Sequence, residues 1–176
     1  MPNDEPESPA ALDEETLAFA QRVFDHARAG RAAELAELLG MGLPANLRNE
    51  KGDSLLMLAC YHGHVEAARR LLEHGADPEL ANDRGQTPLA GAAFKGDATI
   101  ARLLLEKGAR VDGAGPDGKT ALMIAAMFDR TEIVELLLAS GADPAARDAG
   151  GLTAADAAQK MGASNAWALL VQSSRS

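Results

Sequence analysis

The chain has 176 residues, 47% hydrophobic, 24% charged and only 3% aromatic, which suits one domain or a short array of repeats and excludes a disordered chain. Its single cysteine, Cys60, excludes an intramolecular disulfide and any all-cysteine metal site, and points to a reducing compartment. The net charge is −9, yet six acids lie in the first fifteen residues, which leaves 20 acids against 17 bases beyond them and no run of Lys and Arg to recruit phosphates.

No stretch approaches the roughly 20 apolar residues of a membrane-spanning helix. The N-terminus up to Glu15 has neither the basic residue nor the apolar run of a secretory signal. A soluble, cytoplasmic protein is expected, with neither nucleic acid nor membrane as a partner.

Residues 1–12, with Pro2, Pro6 and Pro9 and no apolar pattern, read as a disordered acidic tail. Residues 12–28 read as a long first helix, with Asp13 as its N-cap and Thr16 three residues on. That helix opens an N-terminal capping unit over 13–51. From there a period takes over. Gly52, Gly85, Gly118 and Gly151 are each 33 residues apart, and Gly75, Gly108 and Gly141 repeat the spacing, each followed by alanine. The leucine runs at 71–72, 103–105 and 136–138 fall in the same phase, and 169–171 continue it. The period marks full repeats over 52–84, 85–117 and 118–150, a shortened C-terminal cap over 151–172 and a disordered tail over 173–176.

Each repeat reads as two short helices and a turn. In the first full repeat, residues 54–61 form a brief apolar helix broken at Gly63. Residues 65–74 form a second, with Ala67, Ala68, Leu71 and Leu72 on one face. Gly75 follows its end, where a left-handed residue is wanted. Residues 78–83 run out as a loop turning at Gly85, and Pro88 opens the next helix, where its missing N–H costs little. Neither helix buries its apolar face alone, so neighbouring repeats must stack.

The runs Gly85-Gln86-Thr87-Pro88-Leu89 and Glu132-Ile133-Val134-Glu135-Leu136-Leu137-Leu138-Ala139-Ser140-Gly141-Ala142-Asp143 resemble the ankyrin repeat, and the resemblance extends over roughly residues 16 to 172. It implies an all-α solenoid of stacked helix-turn-helix units, slightly curved, with β-hairpin-like finger loops at about a right angle. Three departures stand out. The usual His after Thr-Pro-Leu is Met57, Ala90, Met123 and Asp156, so its inter-repeat hydrogen bonds must be absent or supplied by other groups. The usual inter-helix Gly is Asp129 in the third full repeat, which predicts a strained or rearranged turn. Trp167 replaces Ala68 and Ala101 and is expected to close the core at the last unit.

Chemistry-bearing candidates are few. Cys60, His62 and His64 are all residue types that ligate metals. The favoured reading is structural, with His62 and His64 at an inter-helix turn and Cys60 pointing into the core. A metal- or redox-responsive role for the three is the alternative. A Cys nucleophile with a His base needs a third group to orient the His, and nothing supplies one. Glu132 and Glu135 lie outward on a helix whose Ile133, Val134 and Leu136 face in, as a solvated face rather than an acid–base pair. Residues 113–118 are glycine-rich but follow no strand and open no phosphate-binding helix. The chain is read as non-enzymatic, with no cofactor and no metal.

Comparing the repeats separates scaffold from variable positions. Ala92-Ala93 and Ala125-Ala126 recur and are packing. Two variable columns end the inner helices: Tyr61, Phe94, Met127 and Lys160, and beside them His62, Lys95, Phe128 and Met161. They hold three of the six aromatics, and large apolar groups on one surface make interface anchors. In the family these columns line the concave face and contact partners. The same rings would alternatively pack on adjacent helices or fingers. Finger tips form a second surface, at Glu50, Lys51 and Asp53, at Asp83, Arg84 and Gln86, at Asp117 and Lys119, and at Leu152. Their alternating charges favour a protein partner over a polyanion.

The expectation is a monomeric adaptor, inhibitor or stabiliser that binds another protein. Tyr61, His62, Phe94, Lys95, Met127 and Phe128 would carry binding on the concave face. Asp53, Asp83, Arg84, Gln86, Asp117 and Lys119 would carry it at the fingers. A structural subunit self-associating through the aromatic column is a further alternative. The preference for Ala and for Arg over Lys points to a bacterial source.

Overall fold

In the computed structural model, which describes residues 13–175, the chain winds into ten helices taken two at a time. The pairs are α1 (Glu14–Ala29) with α2 (Ala32–Gly40), α3 (Leu55–Tyr61) with α4 (Val65–Glu73), and α5 (Pro88–Lys95) with α6 (Ala98–Glu106). They continue with α7 (Ala121–Met127) and α8 (Thr131–Ala139), then α9 (Ala154–Met161) and α10 (Ser164–Ser173). The acidic segment 1–12, read as disordered, lies outside the described residues. None of the described helices is long and apolar enough to cross a membrane.

The helix starts follow from one hydroxyl per repeat. Ser54, Thr87 and Thr120 stand at the same place in the 33-residue register and accept the N–H of Met57, Ala90 and Met123 at 3.1, 3.2 and 3.3 Å. Thr153 does the same for Asp156, whose carboxylate returns a bond to the Thr153 N–H and completes a capping box. Each cap satisfies a backbone donor that the helix itself leaves unpaired. Asp13 caps α1 by accepting the Thr16 N–H at 2.7 Å.

Odd-numbered helices pack on one another to form an inner row, and even-numbered helices form an outer row. The core runs unbroken between the rows. Leu71, Leu104, Leu137 and Leu170, one per repeat, are all essentially fully buried. Ala67-Ala68, Ala92-Ala93 and Ala125-Ala126 are buried too, and their small side chains let neighbouring helices approach closely. The C-terminal unit is less apolar than the others at two register positions. Exposed Gln159 stands at the position of buried Cys60, Ala93 and Ala126, and Ala155 at that of Leu56, Leu89 and Leu122.

Trp167 departs from expectation. Its ring is 41% exposed, and burial in α10 falls to Ala166 and Leu170 instead. Among the described residues no repeat covers the face on which Trp167 stands, so the ring does not close the core. The C-terminal tail also begins later than expected. α10 runs through Ser173, and the hydroxyls of Ser173 and Ser174 both donate to the Leu170 carbonyl at 2.9 Å.

The inter-repeat bonds that the missing His would make come from other groups. In the fingers, Arg48 donates to the Ala81 carbonyl and the Asp83 carboxylate, both at 3.1 Å, and Arg110 meets Glu79 at 3.1 Å. At the inter-helix turns, His64 bonds the Arg28 carbonyl through Nε2 at 2.7 Å, and Arg130 donates to the Phe94 carbonyl at 3.2 Å. Asp129 keeps the left-handed conformation of the glycines it replaces, with φ of 54°. The turn is therefore strained but not rearranged. The Asp129 carboxylate accepts the Ala166 N–H at 2.7 Å and the Asn165 amide at 2.8 Å, so it ties the third full repeat to the cap. The finger hairpins reduce to single bridges, Arg48 with Ser54 and Ala114 with Thr120.

Candidate functional site

On an α-helix, residues three and four apart share a face. Leu58 with Tyr61, Gly91 with Phe94, and Ile124 with Met127 and Phe128 therefore present one side of the inner row. This side forms the floor and one wall of a groove of about 960 Å³, whose opposite wall is the finger loops around Asn49, Lys51, Asn82 and Arg84. Of the twelve residues expected to carry binding, all line this groove except Lys95 and Asp117.

The rings along this wall are neither core nor free. Tyr61, Phe94 and Phe128 are 43%, 40% and 39% exposed. Phe128 meets Phe94 edge to face with centroids 4.8 Å apart, and the Lys95 ammonium lies 4.3 Å from the centre of the Tyr61 ring. Residues of the second column thus lean back on the first column of the preceding repeat. Such pairs fix the rings while leaving each of them partly exposed. His62 packs edge to face on Tyr61 at 5.5 Å. Burial lowers the His62 pKa, and the neighbouring charges of His64, Lys95 and Arg28 push it the same way, so the ring favours its neutral form.

At the fingers, several expected contact residues are already engaged. Buried Asn82 donates to the Asp53 carboxylate at 2.9 Å and to the Gln86 side chain at 3.1 Å, while its own carbonyl accepts the N–H groups of Arg84 and Gln86 at 3.0 Å. Asp53 and Gln86 are thus part of the finger framework. Asp117 pairs with Lys119 at 3.1 Å, and its pKa is lowered chiefly by the Lys119 backbone N–H.

Among the groove residues outside the expected set are Asn82 and Arg28. Asn82 lies in a finger loop, outside the inner-helix columns that were compared. Arg28 had a signal: one period of 33 back from Tyr61 lands on it, at the end of the capping helix. The full column is Arg28, Tyr61, Phe94, Met127 and Lys160.

The metal or redox alternative gains nothing from the geometry. Cys60 is buried, and burial pushes its thiol up to about 12, far from a reactive thiolate. His64 is tied to the Arg28 carbonyl, and His62 leans on Tyr61. Among the described residues no three His, Cys, Asp or Glu groups come together to hold a metal ion.

Comparison with known proteins agrees with the architecture. A family model for ankyrin repeats in three copies matches residues 24–114, and the single ankyrin repeat model matches residues 117–149. The chain is also similar to a protein of Pseudomonas aeruginosa that is named as an ankyrin repeat protein, with 59% identity over 58 residues. The shared stretch is 33% of this chain and 34% of that protein, so the match spans about a third of each.

Proposed function

The chain belongs to the ankyrin repeat family, whose repeats are generally non-catalytic modules for protein–protein interaction, and we propose that it acts by holding a partner protein along the groove between its inner helices and its fingers. The observation that carries this reading is the row of half-exposed rings at Tyr61, Phe94 and Phe128 on the wall of that groove. Aromatic rings fixed by their neighbours lose little conformational freedom on binding, and rings of this kind form the anchors of interfaces.

The role is that of an adaptor, inhibitor or stabiliser, acting as a monomer in the cytoplasm. An ordinary interface buries roughly 1,200–2,000 Å² in total, which three full repeats with their fingers can present. Truncating a true anchor costs ~2 kcal/mol or more of binding.

The test is capture of partners from a lysate of the source cell by the wild type and by the Tyr61→Ala/Phe94→Ala/Phe128→Ala variant. Circular dichroism first checks that the variant keeps its helices. A protein held by the wild type and lost by the folded variant supports the groove. Equal capture by both moves the site to another surface, and an unfolded variant makes the rings core and removes the reading.

A further inference from the structure

The fold does not require a glycine at position 91. Gly91 lies inside α5 and is not among the glycines of positive φ, so its backbone suits any residue. A β-carbon there would have open space, with nothing within 4 Å. Gly85 and Gly115 are different, since a side chain on either would collide with Pro116 or with the Gly85 backbone across the finger. A glycine inside a helix costs stability relative to alanine. At Gly91 neither conformation nor crowding offsets that cost, and the space above it belongs to the groove.

The register shows what is missing. Leu58, Gly91 and Ile124 stand 33 residues apart on three successive inner helices, and all three line the groove. The outer two carry branched apolar side chains, and between them α5 leaves a gap. Phe94 stands one turn further along the same face, held edge to face by Phe128. Among the described residues every buried side-chain nitrogen and oxygen has a hydrogen-bond partner, so the floor holds no polar group in want of one. The charges that line the groove also cancel. Arg28 pairs with Asp25, Lys119 with Asp117, and Asp83 with Arg48. Glu50 and Asp53 then stand with Lys51 and Arg84, two acids with two bases. We infer that the gap at Gly91 is a socket for one large apolar side chain of the partner protein, carried on an uncharged stretch of its chain; this rests on the groove reading above and adds the chemistry of the occupant. Anchors of this kind fill pockets near the centre of an interface, and a groove without net charge gives a strongly charged segment nothing to complement.

The experiment pans a displayed library of random dodecapeptides on the full chain and measures synthetic winners by fluorescence anisotropy. The expected winners carry a Leu, Ile, Met, Phe or Trp among uncharged residues, and their affinity changes little with salt. Gly91→Leu fills the gap as Leu58 and Ile124 fill their places, and it weakens the winners about tenfold or more. Gly91→Ala weakens them less, because it fills less. A winner whose apolar residue is replaced by Ala binds the wild type and Gly91→Leu alike, and unequal binding overturns the socket. Circular dichroism checks the fold of both variants, and Gly91→Ala carries the test alone if Gly91→Leu unfolds. Urea unfolding supplies the control. The midpoint of Gly91→Ala is expected above that of the wild type, and a lower one would make the glycine a requirement of the fold and overturn the inference. Charged winners released by salt overturn it too, as does a failure to enrich any peptide. Winners lost with Phe94→Ala but indifferent to Gly91→Leu and Gly91→Ala overturn the socket and leave the groove reading intact. Winners indifferent to all three overturn both.

Discussion

Asp129 shows how a residue that breaks a local rule is held by a longer-range one. Gly30, Gly63, Gly96 and Gly162 occupy the same register position with φ between 70° and 75°, where a side chain is disfavoured. A non-glycine residue there carries roughly 1–2 kcal/mol of strain, eased for Asp by its short polar side chain. The two bonds from its carboxylate to Asn165 and Ala166 offset that strain by fixing the first turn of α10. Replacing Asp129 by Ala removes the bonds and keeps the strain, at a cost of about 1–3 kcal/mol. Replacing it by Gly removes both and costs about 1 kcal/mol less than Ala. Urea unfolding of the two variants checks the difference, and equal midpoints would mean that the backbone at this turn is unstrained. The sequence carried half of this result. It marked the position as anomalous, but Asn165 and Ala166 lie 36 and 37 residues away, beyond any local code.

At the scale of the helix, core and groove wall separate by burial. Leu104 sits in the second half of α6 with no exposure, inside the continuous core. Leu104→Ala leaves a cavity that its neighbours fill only in part, at about 2–5 kcal/mol of folding stability. Phe94, on the paired helix, already shows 40% of itself to water. Phe94→Ala should therefore destabilise less than Leu104→Ala in urea unfolding while removing more binding. The reverse order would place Phe94 in the core. Helix positions themselves were legible from sequence, since a hydroxyl cap, leucines at helical spacing and a glycine past the end act within a few residues of one another. Trp167 was misread because Ala68, Ala101 and Val134 in its register are all buried, whereas no unit stacks beyond α10 among the described residues.

For the whole molecule, each repeat touches only its neighbours, so stability is a sum of repeats and the interfaces between them. The C-terminal unit has one such interface, and it holds the single tryptophan of the chain. Trp167 fluorescence thus reports this unit, whereas far-ultraviolet circular dichroism reports all ten helices. In urea the fluorescence transition is expected at lower denaturant than the dichroism transition, as the end of the stack frays first. Coincident transitions would show that the stack unfolds as one cooperative body.

The sequence by itself determined the period, the helix pairs, the stacking and the family, because these follow from short-range signals repeated every 33 residues. It also singled out most of the groove, since variable positions in a regular array stand out without any structure. Only the tertiary structure decided which of those positions are tied to neighbouring side chains. That Asp53 and Gln86 are spoken for by Asn82, that Lys95 rests on Tyr61, and that Lys51 and Arg84 have no carboxylate partner among the described residues depend on how side chains from different repeats meet. Those meetings are set by the geometry of the stack, which places residues some 30 positions apart side by side and so lies outside the reach of local pattern.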